Sequence, residues 1–184
     1  MGVNMAGYAI SDEAVVVEAG KQEIIRRYLK ALVNEKRSLS DSTESDKIAL
    51  IMKGNNIVLD DRKVYKLANE TAMEKGCPVA AIELADGTLL TGKTNDLFGC
   101  SSSMLLNALK KLAGLDDSVD LIAKKSIMPI QDLKTKYLGS KNPRLHTDEV
   151  LIALSATAAY NEDAALALDQ LTKLKGCQVH SSVL

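Results

Sequence analysis

Hydrophobic positions along this chain follow two different periods. Over residues 12–36, Ile24, Ile25, Tyr28, Leu29, Leu32 and Val33 recur at three- and four-residue spacing, with Arg26, Arg27, Lys30 and Asn34 on the other side. That is the period of an amphipathic helix. Gly20 is expected to break or kink its start. The stretch "SLSDSTESD", 38–46, has no period and reads as a polar loop or N-cap region before a short helix at about 43–53. Residues 60–76 carry acidic residues at their start, an apolar set at Val64, Leu67, Ala68, Thr71 and Ala72, and Gly76 as a stop, which predicts a further helix. The front, 12–76, is therefore helical.

From Pro78 the period shortens. "VAAIEL" and "TLLTGKT" flank Asp86-Gly87, a dipeptide that supplies positive backbone angles to a tight hairpin turn. "GCSSSMLLNALKKLAG", 99–114, predicts a strongly apolar helix with any of Ser101, Ser102 or Ser103 as N-cap and Gly114 as C-cap. "VDLIA", 119–123, reads as a strand, and "MPIQDLKTKYL", 128–138, as a helix with an early proline. "GSKNPRLHTDEV", 139–150, reads as a polar loop entering a helix capped by Thr147, with Asp148 and Glu149 complementing its positive end. Its body, "LIALSATAA", is apolar almost all round and is expected at the centre of the fold. Asn161 caps a last amphipathic helix with Leu168, Leu171 and Leu174 inward, and "CQVHSSVL" closes the chain as a strand. The pattern predicts an α+β fold of layered type in one domain, 1–184, with a helical front (12–76) and a mixed back (78–184).

One motif competes with the hairpin. "GTLLTGKT", Gly87 to Thr94, has the spacing of a phosphate-binding loop. In such a loop the four residues after the first glycine wrap a phosphate with their amides, and Lys-Thr opens a helix. Here they are Thr-Leu-Leu-Thr, which prefer a strand, and "NDLFG" follows where the helix should begin. The match is accidental on this reading, and no nucleotide is expected on this chain alone.

Composition narrows the partners. Lys plus Arg number 23 against 24 Asp plus Glu, a formal net charge of -1, and aromatics make up 3%. Neither a basic footprint nor a base-stacking platform is present, so no nucleic acid is expected. No apolar run reaches the length of a membrane span, and the start "MGVNMAGYAI" lacks the layout of a signal peptide. Cys77, Cys100 and Cys177 are odd in number and widely spaced, which fits reduced thiols in a cytoplasmic protein. Of the two histidines, His146 sits among Lys141, Asn142, Arg144, Asp148 and Glu149. His-x-x-Glu places an acid/base pair on one helical face, but one such pair cannot complete a zinc site. No metal is expected. His180, in a strand among small polar residues, reads as structural.

The segments "MGVNMAGYAI", "EIIRRYLKALV", "AIELADGTLLTGKT", "SKNPRLHTDEVLIAL" and "LDQLTKLKGCQVHSSV" together resemble the C-terminal part of a bacterial family called domain of unknown function eighteen-forty-six. The most specific stretch is "GSKNPRLHTDEVLIALSA". The resemblance implies longer proteins whose N-terminal α/β portion carries its own phosphate-loop-like segment; this sequence is expected to lack that portion, which would be a partner. It supplies no established reaction. Family members usually have Gly-small-Ser-Ser where this chain has Gly99-Cys100-Ser101-Ser102, which argues against Cys100 as a required nucleophile. The order of elements is similar to cytidine deaminase-like folds, but the zinc positions there correspond to Gly99, Cys100 and Ser101, and to Ser126, Ile127, Met128 and Pro129. Those residues cannot hold the metal.

Two functions from different classes follow. The first is a ligand-binding or catalytic half of a larger enzyme, with an anion or phosphate site at the 99–103 helix start. Its ligand-binding residues would be Lys93, Thr94, Gly99, Ser101, Ser102 and Ser103, joined by Asn142 and Arg144 from the 141–149 loop. His146 would move a proton and Glu149 would orient its imidazole. The alternative is a structural module that makes the protein a homo-oligomer through the broad stripe of the 12–36 helix. The first reading requires the 99–103 and 141–149 segments to line one pocket.

Overall fold

The computed structural model describes residues 12–183. The chain divides into two compact units, one running to Lys66 and the other Leu67–Val183.

In the first unit, α1 (Glu13–Lys36) starts where Asp12 accepts hydrogen bonds from the amides of Ala14 and Val15. It runs through Gly20 without a break, contrary to the expected kink, because a single helical glycine costs only about 1 kcal/mol against the ladder on either side. Helix α2 (Thr43–Gly54) packs against it. Ile25 and Leu29 from α1, Met52 from α2 and Ile57 form the buried cluster, flanked by Ile24, Tyr28, Ile48, Leu59 and Tyr65. Of the α1 stripe, Ile24, Ile25, Tyr28 and Leu29 are thus packed within its own unit, while Val15 and Val17 near its start are more than half exposed. On its outer side Glu23 receives hydrogen bonds from Arg26 and Arg27, which hold its carboxyl down at about 2. After a short 3-10 turn (Leu59–Asp61), α3 (Lys63–Lys75) begins at the end of this unit and runs into the second, where it ends on Gly76, whose φ of 63° is the left-handed stop that glycine provides.

The second unit is built on a three-stranded antiparallel sheet in the order β2-β1-β3. The strands are β1 (Val79–Glu83), β2 (Leu89–Lys93) and β3 (Gln178–Ser181). Ala81 lies opposite Thr91 on one side and His180 on the other. The hairpin differs in detail from the tight two-residue turn expected. Leu84 and Thr88 still bond, so the loop is Ala85–Gly87, and only Gly87 takes a positive φ, 82°. This is a three-residue loop closed by a left-handed glycine.

Helix α4 (Cys100–Ala113) lies on β1 and β2. Its contact with the sheet depends on Gly92. A Cβ there would fall 1.9 Å from the Met104 backbone nitrogen, so the helix backbone occupies the space a side chain would need. Gly92, read from sequence as the second glycine of a phosphate-loop spacing, is a packing glycine in a strand. On its other side α4 meets α6 (Thr147–Ala158) and α7 (Glu162–Asp169), and Leu105, Leu106 and Leu109 join Val150, Leu154, Ala164 and Ala167 in the larger core cluster.

Three further expectations change. Residues 119–123 form no strand: Val119 closes a turn on Asp116, and Leu121 and Ile122 enter the core from an irregular segment. The deaminase-like order therefore stops at α4. The next helix, α5 (Lys124–Asp132), begins earlier than expected, so Pro129 is interior and not early; a π turn (Leu133–Tyr137) completes the segment. Finally, α6 is not central on all sides. Val150, Ala153, Leu154 and Thr157 are buried, while Ile152 is 70% exposed.

The two glycines give opposite predictions. Gly92→Ala is expected to destabilise by about 3 kcal/mol or more, because overpacking meets backbone that cannot swing aside. Gly20→Ala, with nothing within 4 Å of the new Cβ, should stabilise by about 0.5–1 kcal/mol. Urea unfolding of both variants checks the pair; equal and small effects would contradict the packing described.

Candidate functional site

The segments carrying most of the chemistry predicted from sequence are joined by a single parallel bridge between Phe98 and Leu145. Leu145 donates its amide to the Leu97 carbonyl at 2.8 Å, and its own carbonyl accepts from the Gly99 amide at 3.2 Å. The Ser102 hydroxyl donates to the same carbonyl at 2.9 Å, and Leu145 itself is fully buried. These bonds hold the chain extended up to Gly99 and up to His146, so each following helix can begin only after them.

That explains two corrections. The N-cap of α4 is Gly99, not a serine, and the N-cap of α6 is His146, not Thr147. Glycine has no side chain to cap with, so the first-turn amides of Cys100, Ser101 and Ser102 receive nothing from it. No acidic residue lies in that turn either. At α6, Asp148 and Glu149 partly offset the dipole. Of the two helix starts, α4 presents the stronger positive end.

Both starts open into one cleft of about 470 Å³. Thr94, Gly99, Ser101 and Ser102 line it together with Lys141, Asn142, Arg144 and His146; Pro78, Cys100, Thr147, Ser181 and Val183 complete the wall. None of these lining residues is acidic. The proximity that the 99–103 and 141–149 segments required is therefore present.

Within the cleft the 140–146 turn is internally ordered. The Asn142 side-chain oxygen accepts from the Arg144 amide at 3.1 Å, and its NH2 lies 3.5 Å from His146 Nε2. Arg144 Nε donates to the Asn95 carbonyl at 2.6 Å, which fixes the guanidinium and leaves its terminal amino groups for a ligand. Asn95 in turn accepts from the amides of Leu97 and Phe98, each at 2.8 Å, so the loop that carries Arg144's anchor is itself an Asx turn.

Three predicted site residues are placed differently. Lys93 and Ser103 line a separate cavity of about 250 Å³ with Asn95, Asn107, Lys110 and Asp120. The strand alternates faces, so Lys93 and Thr94 cannot both face the cleft once β2 is set. Glu149 does not meet the imidazole. Its carboxylate accepts from the His146 backbone amide at 2.7 Å and from Lys134 at 2.6 Å, and the group beside the ring is Asn142. Lys134, only 7% exposed, was missed from sequence. A lysine inside "DLKTKYL" carries no signal that a π turn will direct it inward. Cys100 is buried with its sulfur 3.5 Å from the Ser181 hydroxyl. His180 is buried in β3. Among the described residues no three His, Cys, Asp or Glu side chains gather as a metal set, and no helix is long and apolar enough to cross a membrane.

Residues 60–184 match the family description "Domain of unknown function DUF1846, C-terminal", and residues 1–56 match its N-terminal counterpart. The likeness to the C-terminal part thus holds for residues 60–184, while the front matches the N-terminal domain. The opening "MGVNMAGYAI" lies outside the described residues. A UPF0371 protein of Corynebacterium urealyticum is 57% identical over all 184 residues, and one of Corynebacterium glutamicum is 56% identical over the same length. A UPF0371 protein of Streptococcus uberis is 47% identical over 183 residues. The chain spans 37% of the length of each of these relatives.

The Ser102 hydroxyl is central to the bridge and buried. Ser102→Ala is expected to lower stability by about 1 kcal/mol, since the Leu145 carbonyl keeps its bond from Gly99. Ser101→Ala should change it by less than about 0.5 kcal/mol, as a half-buried residue with no such bond. Thermal or urea unfolding of the two variants side by side gives the comparison, and equal losses would contradict the bridge's dependence on Ser102.

Proposed function

The chain belongs to the DUF1846 family, and we propose that its second unit binds a small anionic ligand, a phosphate or phosphorylated polar compound, in the cleft between the starts of α4 and α6. One observation carries this reading: two helix starts, Lys141 and Arg144 line a single cleft whose lining includes no acidic side chain. A helix N-terminus contributes about 0.3–1 kcal/mol toward an anion at an exposed site. A charge-assisted hydrogen bond from arginine contributes about 1.5–3 kcal/mol, so Arg144 dominates and the amides of Cys100 to Ser102 set the geometry. Asn142, Thr94 and Ser181 supply neutral donors and acceptors for a hydroxylated ligand body.

His146 is the group in the cleft suited to proton transfer. If the Asn142 amide donates to Nε2, the ring proton sits on Nδ1, and His146 can act as base only after that contact breaks. This favours binding first and catalysis second, as a half of a larger enzyme. The near-balanced charge supports a small molecule over nucleic acid, and three free cysteines support a reducing, cytoplasmic setting.

The test is thermal shift with inorganic phosphate at matched ionic strength against chloride. Millimolar phosphate should raise the Tm by a few degrees, and Arg144→Ala should weaken apparent affinity about tenfold, the effect of about 1.4 kcal/mol. A wild-type Tm that does not respond to phosphate, sulfate or a sugar phosphate would sink the proposal.

A second reading, a module that holds copies of the protein together, is favoured by apolar side chains left open on the second unit. Ile152 of α6, Tyr160 in the turn that follows it and Leu166 of α7 are each at least half exposed. On this reading the interface includes these residues. Light scattering at about 100 μM should give a dimer mass that Ile152→Glu lowers; a monomer in both would remove this reading.

A further inference from the structure

Lys134 is a charged residue whose side chain is only 8% exposed, and its ammonium serves two partners. It donates to the Arg144 carbonyl at 2.6 Å and to Glu149 Oε2 at 2.6 Å. The same Glu149 oxygen accepts from the His146 backbone amide at 2.7 Å. Between those two ties, Leu145 is fixed by Leu97, Gly99 and Ser102. Three consecutive backbone units, 144 to 146, are thereby held from two sides, and the side chains at either end are the two cleft residues able to bind charge or move a proton. Removing one partner of a buried pair leaves the other uncompensated, so such a pair is costly unless every hydrogen bond is met. Here the acceptors are a carbonyl of the site's own turn and a carboxylate from the first turn of α6. The π turn that delivers Lys134 is closed by the Leu138 amide on the Leu133 carbonyl, an insertion of the kind that often accompanies function in helices.

We propose that Lys134 is a positioning residue for the cleft: through Arg144 and, by way of Glu149, through His146, it sets the orientation of both side chains toward a bound anion. The proposal rests on the anion-binding reading above, but it concerns geometry that exists without ligand. Lys134 does not touch the ligand. It sets how well Arg144 and His146 do.

The experiment compares Lys134→Met with Leu84→Ala, a truncation just after β1 in a buried cluster that includes no residue of 142–149. Amide hydrogen exchange and NMR amide shifts are recorded for residues 142–149, and inorganic phosphate affinity is measured by titration. Lys134→Met is expected to speed exchange at the His146 amide at least tenfold relative to the rest of α6, and to weaken phosphate at least tenfold. Leu84→Ala should lower the Tm while leaving both unchanged. If Lys134→Met does not fold, Glu149→Gln keeps an acceptor for both donors and should give the same changes at smaller size. Lowered Tm with unchanged His146 exchange and unchanged amide shifts would overturn the proposal, leaving Lys134 a structural ion pair. Should wild-type protein fail to bind phosphate, the anion reading falls alone, and the exchange arm still decides the role of Lys134.

Discussion

The buried backbone of Leu145 is the constraint from which the rest of the second unit's chemistry follows. It has no strand of a sheet to join, yet its amide and carbonyl are both satisfied, by Leu97 and by Gly99 with Ser102. A buried peptide group without partners would cost about 1–3 kcal/mol, so this pairing is enforced by the burial of the side chain itself. Extended backbone at Phe98 and Leu145 makes Gly99 and His146 the last non-helical residues before α4 and α6. Two helix starts then face one cleft because they leave the same bridge in parallel. The placing of two positive helix ends on one cleft is thus a consequence of satisfying one buried residue.

Two other contacts keep that arrangement stiff. Gly92 lets α4 settle directly on β2, so the helix is fixed near Met104 as well as at its start. On the opposite side the Lys134–Glu149 pair fastens the turn before α6. The pair is half of a capping arrangement, since Glu149 also satisfies the His146 amide. Its carboxylate is therefore engaged in holding the turn, and the surplus positive charge of Arg144 and Lys141 remains for the cleft. Where acidic residues of the first turn offset the dipole at α6, α4 has none, so α4 presents the stronger positive end.

Much of this was legible in sequence wherever the signal is local. The periods of α1 and α4, the glycine stops at Gly76 and Gly114, the Asn161 cap and the Asp86-Gly87 hairpin context that rules against a phosphate loop all follow from neighbours within a few residues. The surplus of hydroxyls at 99–103 and of cations at 141–146 marked two segments that line one cleft. What could not be read was pairing over distance. Residues 119–123 have a strand's short apolar run, but it serves core burial in an irregular segment, and the sheet closes on residues 178–181 instead. The serines of 101–103 look like caps until the Leu145 carbonyl claims Ser102 and pushes the helix start back to Gly99. Glu149 looks like the partner of an imidazole three residues away until a buried lysine from a π turn reaches it first. Each miss is a case of a non-local bond overriding a sound local preference.

Phosphate titration followed on backbone amides tests the central claim most directly, because that claim is about two helix starts acting as one site. With 15N-labelled protein, added inorganic phosphate should shift the amides of Cys100, Ser101 and Ser102 and those of residues 144–147 together, along one saturation curve. Shifts confined to one of the two segments, or two curves with different midpoints, would contradict a shared cleft and leave the Leu145 bridge as a structural tie alone.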